Sequence, residues 1–363
     1  MHAETGGNAI MREPDGDKLN ALMGRLVGDL GASMTAALIV LGDRLGLYEA
    51  MADGAAVTPA ELAQKTGLKE RYVREWLSAQ AAAEFVEYDD KSGSFSLSPE
   101  QAMAFADEGG PAFFAGAFEI VQAMWLDEPK IAAAFKSGEG VGWHEHSTCL
   151  FRGTERFFRP GYSNYLAGSW IPALEGVHEK LQNGASVADV GCGHGASAIL
   201  MAQTYPNTRF FGFDYHGPSI ERAREAAAKA GVGDRITFEQ ASAKDFPAKG
   251  YDLVAMFDCL HDMGDPVGAG RHVKETLNAD GTWLIVEPFA NDQLKDNLNP
   301  VGRVFYSAST MLCTPASLSQ EVGLGLGAQA GEARLRQVVT EAGFSRFRRA
   351  AETPFNLVFE ARV

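Results

Sequence analysis

The sequence predicts an α/β protein. Its core is a seven-stranded, Rossmann-like, mostly parallel sheet with an antiparallel C-terminal strand, preceded by a helical, winged-helix domain. Three observations predict it. Short apolar runs alternate with helical runs after Gly184. The first of those runs, 186–190, ends beside an acid and enters glycines at alternate positions, 191, 193 and 195. Upstream, residues 58–97 read as helix, turn, helix and hairpin.

Residues 1–18 are polar and glycine-containing and read as a disordered tail. Leu22, Leu26, Leu30, Met34, Leu38 and Leu41 recur three or four apart, which predicts helix over 19–51. Glycines 24, 28, 31 and 42 in that run predict close helix–helix contact. Thr58-Pro59-Ala60-Glu61 is a capping box with proline at the first helical position. That helix, 59–66, stops at Gly67, and a second spans 69–83. Strands at 85–88 and 94–97 flank turn residues 89–93. The domains expected are 19–110 (helical, winged helix), 111–182 (helical linker and substrate-pocket region) and 183–363. In the last, strands fall at 186–190, 209–214, 236–241, 251–258, 282–287, 346–351 and 356–363, and helices at 196–205, 218–230, 266–278 and 332–342. Residues 289–330, with Pro300, Pro315 and a glycine cluster at 323–327, read as an insertion and a candidate lid.

The 363 residues are 46% hydrophobic and 22% charged, ordinary for a globular protein with a real core. A formal net charge of −15 argues against general affinity for nucleic acid or anionic membranes. Cys149, Cys192, Cys259 and Cys313 form no C-x-x-C pair, which suits a reducing compartment without a disulfide framework. No signal-like segment opens the chain, and the apolar stretch 34–41 is too short to span a bilayer. The expected location is cytoplasmic.

Ligands of open parallel sheets bind at the carboxyl ends of the strands, so each strand exit is a candidate. The first exit carries Asp189, Gly191, Cys192, Gly193 and Gly195. A dinucleotide fingerprint needs G-x-G-x-x-G, but position 196 is alanine and the third glycine comes one residue early. An acid two residues before the first glycine suits a ligand with a positive end better than a pyrophosphate. The second exit ends in Asp214-Tyr215, about twenty residues on, where an acid accepts ribose hydroxyls. The third carries Ser242 and Ala243 for an adenine, with Asp245 as a rival to Ser242. The fourth is Asp258-Cys259-Leu260-His261-Asp262-Met263, and the fifth ends in Glu287.

The 189–195 loop is similar to the D/E-x-G-x-G-x-G loop of class I S-adenosylmethionine (SAM) dependent methyltransferases. With Leu260-His261-Asp262, Glu287 and the winged helix, the chain resembles the plant-type and bacterial small-molecule O-methyltransferases. The resemblance implies SAM as methyl donor, S-adenosylhomocysteine as product and a small-molecule acceptor. It implies His261 as general base, Glu287 orienting it and Asp262 as the next family acid. Met263 stands where the family has tryptophan, a change in the substrate wall, and a second family glutamate has no match in 289–330. In that family the winged-helix module pairs two protomers, which implies a homodimer.

Physical chemistry supports a base independently. A hydroxyl acceptor is protonated near neutral pH, and an imidazole that titrates there is suited to relieve it of its proton. The other reading of His261 is a lining residue, as in N-, S- or C-methyl transfer without an essential base. A SAM-sensing regulator is a further alternative, but residues 58–90 hold four Lys/Arg against seven Asp/Glu, whereas DNA binding needs a basic face. Trp143, His144, Phe158, Tyr162 and Met263 are the candidate substrate contacts among many aromatics expected to be core. His144 and His146 alternate, but no third ligand stands at a telling spacing, so no metal is expected.

Overall fold

The computed structural model describes residues 13–363; most of the expected tail, 1–12, lies outside them. The chain divides into two compact units between Ala106 and Asp107.

In the first unit, α1 (Gly16–Arg44) begins inside the segment read as tail, because the Asp15 carboxylate accepts from the amides of Asp17 and Lys18 and caps it. It stops short of residue 51, where Gly46 takes a positive φ and a 3-10 turn follows at Glu49–Met51. The capping box at α2 (Pro59–Thr66) closes both ways: Glu61 N–H donates to Thr58 Oγ1 at 3.3 Å, and Thr58 N–H to Glu61 Oε2 at 2.7 Å. Next come α3 (Glu70–Ala82), β1 (Glu87–Asp89), β2 (Ser94–Ser96) and α4 (Pro99–Phe105). Val57 bridges Phe95 and widens the wing. Of Gly24, Gly28, Gly31 and Gly42, one meets a neighbour closely. A Cβ on Gly42 would lie 2.4 Å from the Trp76 ring, whereas Gly24, Gly28 and Gly31 face open space. Leu22, Leu26, Val27, Leu30 and Met34 are exposed. By length and composition α1 is apolar enough to cross a membrane, which the uninterrupted run 34–41 alone does not suggest.

In the second unit, α5 (Ala117–Ser137), α6 (Cys149–Tyr165) and α7 (Val177–Asn183) lead into the sheet. The alternation is then β3 (Ser186–Val190), α8 (Ala196–Thr204), β4 (Arg209–Asp214), α9 (Gly217–Lys229), β5 (Ile236–Gln240), β6 (Tyr251–Phe257), α10 (Pro266–Thr276) and β7 (Leu277–Pro288). Strand β7 starts five residues before the expected 282, at Leu277, where α10 has ended. After α11 (Pro300–Ala308), α12 (Thr314–Leu318) and α13 (Gly331–Glu341), β8 (Arg346–Glu352) and β9 (Asn356–Arg362) complete the sheet. Its order is β5-β4-β3-β6-β7-β9-β8, with β9 antiparallel to both neighbours. The mostly parallel seven-stranded sheet is therefore as predicted.

Alternate residues of each strand bury on opposite faces. Val187, Leu253 and Leu284 join one apolar cluster, and Ala188, Val254 and Ile285 the other. Both faces are covered, so the central strands read as continuous apolar runs. In register, Val190 pairs with Phe213 and Phe257 with Val286. The residues just beyond these pairs, Gly191, Asp214, Asp258 and Glu287, thus emerge along one edge. The 289–330 insertion is packed: Asn299 caps α11 by accepting from Gly302 N–H at 2.8 Å. Phe305, Leu312, Cys313 and Ala328 bury with Ala123 of α5 and Leu150 of α6.

Candidate active site

Three glycines with positive φ shape the turn after β3. A Cβ on Gly191 would stand 2.7 Å from Cys259 Sγ, and one on Gly195 2.6 Å from the Phe238 ring. Both positions demand glycine for space as well as conformation. Gly191 and Cys192 donate their N–H groups to Phe213 O at 2.8 and 3.1 Å, which fastens the turn to β4. Asp214 completes the fastening: its Oδ2 accepts from Gly193 N–H at 2.9 Å and its Oδ1 from His216 N–H at 2.8 Å. One lone pair on each oxygen remains for a ligand hydroxyl.

Asp189 is fully enclosed. Ser197 Oγ donates to its Oδ2 at 2.5 Å, while Oδ1 has no partner among the described residues. Burial, reinforced by the charge of Asp214, raises its pKa to about 7. An unpartnered carboxylate oxygen in an acid-lined turn calls for a cation or donor from a ligand. The cradle fits a ligand with a ribose and a positive centre.

At the other strand exits, Asp258 holds φ at 51°, a strained backbone for a residue with a Cβ. Its Oδ2 accepts from Tyr162 OH at 3.0 Å, its Oδ1 from Asn356 Nδ2 at 2.9 Å, and its N–H donates to Val286 O at 2.7 Å. This kink turns the chain so that a 3-10 turn, Leu260–Asp262, lies under the end of β7. There Glu287 takes both groups: its Oε1 accepts from Leu260 N–H at 3.0 Å, and its Oε2 is 2.6 Å from His261 Nδ1. The pair fixes the proton on Nδ1 and leaves Nε2 as the working atom. Asp262 Oδ1 lies 3.2 Å from Nε2. Burial pushes the imidazolium pKa down, but Glu287 and Asp262 outweigh it and hold His261 well above its ordinary value.

Residues 181–343 match the methyltransferase domain family, and 33–106 match the winged helix-turn-helix domain of Rv2258c-like proteins. The chain thus carries a methyltransferase domain behind a winged helix-turn-helix domain. One relative is the 27-O-demethylrifamycin SV methyltransferase of Amycolatopsis mediterranei (strain S699), 29% identical over 55% of this chain and 64% of that protein. The chain thus spans just under two thirds of that relative's length, and less of the next, the methyltransferase ungE' of Aspergillus campestris, at 29%. Among solved structures, mitomycin 7-O-methyltransferase superposes with a TM-score of 0.68, at 20% identity over 96% of this chain and all of that one. Human N-acetylserotonin methyltransferase, solved with SAM, gives 0.67 at 16% identity over 97% and 99%. At these identities the likeness is one of fold.

In this methyltransferase the predicted cofactor residues largely converge. Asp189, Gly191, Cys192, Gly193, Gly195 and Asp214 share one turn; Asp258 joins them through the neighbouring strand. Tyr215 is exposed. Asp245 is spent in its own turn, accepting from Ser242 N–H at 2.7 Å and Ser242 Oγ at 2.8 Å. The substrate contacts disperse. Met263, expected on the substrate wall, lines a small cleft with Ser242, Ala243 and Gln320. Tyr162 is buried and committed to Asp258, and Phe158 stacks on it with centroids 6.1 Å apart. Trp143 packs against the α5, α6 and insertion cluster, and His144 is exposed with its ring edge-on to Tyr215.

Four residues escaped sequence reading. Glu155 of α6 lies 3.2 Å from His194 Nδ1 and ties the helix to the glycine turn. Asn356 holds Asp258 from β9. Asp127 is buried in α5, 3.1 Å from His146 Nδ1. Cys313 reaches His261 and Asp262 from the insertion. None left a clear signal: Asp127, for one, stands beside Glu128 and Lys130 in a polar stretch of α5.

The raised Asp189 predicts a pH dependence. SAM, with its sulfonium, should bind more tightly as pH rises through about 7 and Asp189 ionises, and Asp189→Asn should flatten the slope. Calorimetric titration between pH 6 and 8 on the order of tenfold in affinity checks this. An equal slope in Asp189→Asn would refute the assignment.

Proposed function

We propose that the protein transfers the methyl group of SAM to a hydroxyl or phenol oxygen of a small-molecule acceptor, with His261 as general base and Glu287 as its positioning residue. The observation that carries this reading is the buried 2.6 Å contact between His261 Nδ1 and Glu287 Oε2 beside the glycine turn. Bound SAM supplies an electrophilic methyl on a positively charged sulfur. Asp214 would hold the ribose hydroxyls, the glycine turn would admit the adenosine, and Asp189 would favour the positive charge. His261 Nε2 accepts the acceptor's proton as oxygen attacks, and Glu287 stabilises the imidazolium that results. The related names, an O-demethylrifamycin and a mitomycin 7-O-methyltransferase, support oxygen as the methylated atom.

A screen of phenols, alcohols, carboxylic acids and amines with methyl-labelled SAM tests the reading; exclusive labelling of amines or thiols would sink it. The pH profile gives a second check. The base works only as neutral imidazole, so with its pKa raised, kcat should climb with pH well beyond 6.5. Glu287→Gln removes the stronger of the two raising charges and should move that acid limb to lower pH while reducing the maximal rate. An unmoved limb would separate Glu287 from the titrating group.

The exposed apolar face of α1 supports a homodimer through the N-terminal unit. Arg25 and Asp29 interrupt that helix, and a charge at mid-membrane costs about 2.5–3.5 kcal/mol each, which disfavours spanning. Leu26→Lys with Leu30→Lys should leave a monomer by light scattering; a dimer that persists would place the interface elsewhere. That the four cysteines form no disulfide supports a reducing, cytoplasmic location.

A further inference from the structure

We propose that His261, Asp262 and Cys313 form a site for a divalent transition-metal ion of the zinc class, and that the ion holds the methyltransferase inactive by taking the Nε2 lone pair of His261. One ligand atom from each of the three residues lies within 4.8 Å of the other two. His261 and Cys313 are buried, 3% and 6% exposed, and Asp262 is half-buried. The chain brings them from separate places: the turn after β6 and the π-helical turn Ser309–Cys313 of the insertion.

Asp262 Oδ1 lies 3.2 Å from His261 Nε2, yet among the described residues it has no hydrogen-bond partner, so the imidazole N–H does not point at it. A separation of roughly 3.3 Å is the edge of a tetrahedron whose ligands stand at about 2.0–2.2 Å from a metal.

The outer contacts suit ligation. His261 Nδ1 rests on Glu287 at 2.6 Å. A carboxylate behind the imidazole fixes the tautomer that leaves Nε2 as the ligand atom, the usual support for metal-bound histidine. An imidazole, a thiolate and one carboxylate oxygen suit zinc or cobalt(II), whereas magnesium and calcium prefer all-oxygen shells. Binding expels the thiol proton of Cys313 and any proton on Nε2 to solvent. The inhibitory consequence rests on His261 being the base; the binding site does not.

Cobalt(II) titrated into the purified full-length chain, without SAM or acceptor, tests the site. The expected result is a one-to-one complex with a near-ultraviolet thiolate charge-transfer band. Cys313→Ala should abolish the band and weaken zinc binding at least tenfold in competition with a chelating dye; Cys313→Ser, closer in shape, is the second variant should the first fold poorly. No complex, or a band that survives both variants, overturns the site. With the screened acceptor, zinc should slow turnover of the wild type at concentrations at least tenfold below those needed for the Cys313 variants. A Cys313-dependent band with turnover untouched by zinc would keep the site and overturn its blocking of His261.

Discussion

Replacing His261 with asparagine is expected to lower kcat by about 10²–10⁴-fold, the range that a positioned general base supplies. Asparagine is the informative substitute because its amide can still donate to Glu287, which at 2% exposure could not be left without a partner cheaply. SAM affinity by calorimetry and the thermal midpoint should stay near those of the parent. The loss should fall on kcat and kcat/KM together, since the proton is transferred only as the oxygen attacks. It should also shrink for acceptors acidic enough to ionise unaided. A variant that keeps its rate would assign His261 to lining the site and leave nitrogen, sulfur or carbon as the methylated atom.

Gly195→Ala should be among the most damaging single-methyl additions in the molecule. The residue holds φ at 79°, and the added Cβ would meet the Phe238 ring at 2.6 Å and the Ala223 Cβ at 3.1 Å. The conformational penalty is about 1–2 kcal/mol, and forcing a buried ring aside adds about 1–3 kcal/mol. The thermal midpoint should therefore fall by several degrees, and SAM binding should weaken because the turn that presents the backbone has shifted. Gly193→Ala is the internal control. Its φ is 51° but its Cβ would meet open space within the protein, so it should lose stability through conformation alone. Similar losses in both variants would show that the Phe238 contact relaxes freely.

Much of the fold was legible because its signals are local. The capping box at Thr58, the alternation after Gly184 and the acid-glycine turn each depend on neighbours within a few residues. The cofactor side of the site followed from them, since parallel strands in register must deliver Asp189, Asp214 and Asp258 to one edge. The extent of α1 was misjudged at both ends, because Asp15 caps a helix that its sequence neighbours do not advertise. Three of its glycines were read as contact points and face open space instead. The 289–330 segment looked loose, yet α11 and the π-helical turn bury Phe305, Leu312 and Cys313 against α5 and α6. No periodicity of its own announces that, because its partners lie well over a hundred residues away.

The division has a physical basis. The sequence alone determined the backbone path, the donor-binding turn and the identity of the histidine and glutamate, since backbone geometry and strand order are set by short-range sterics and apolar pattern. Tertiary structure decided what surrounds them: that Met263 lines a cleft with Ser242 and Ala243, that Tyr162 is committed to Asp258, and that Asp262 and Cys313 gather around His261. Those relations depend on side-chain direction and burial, which change with a single turn of backbone and leave no period in the chain. The strained φ of Asp258 illustrates the point: one residue at 51° sets where His261 points, and the packed sheet and β9 hold it there.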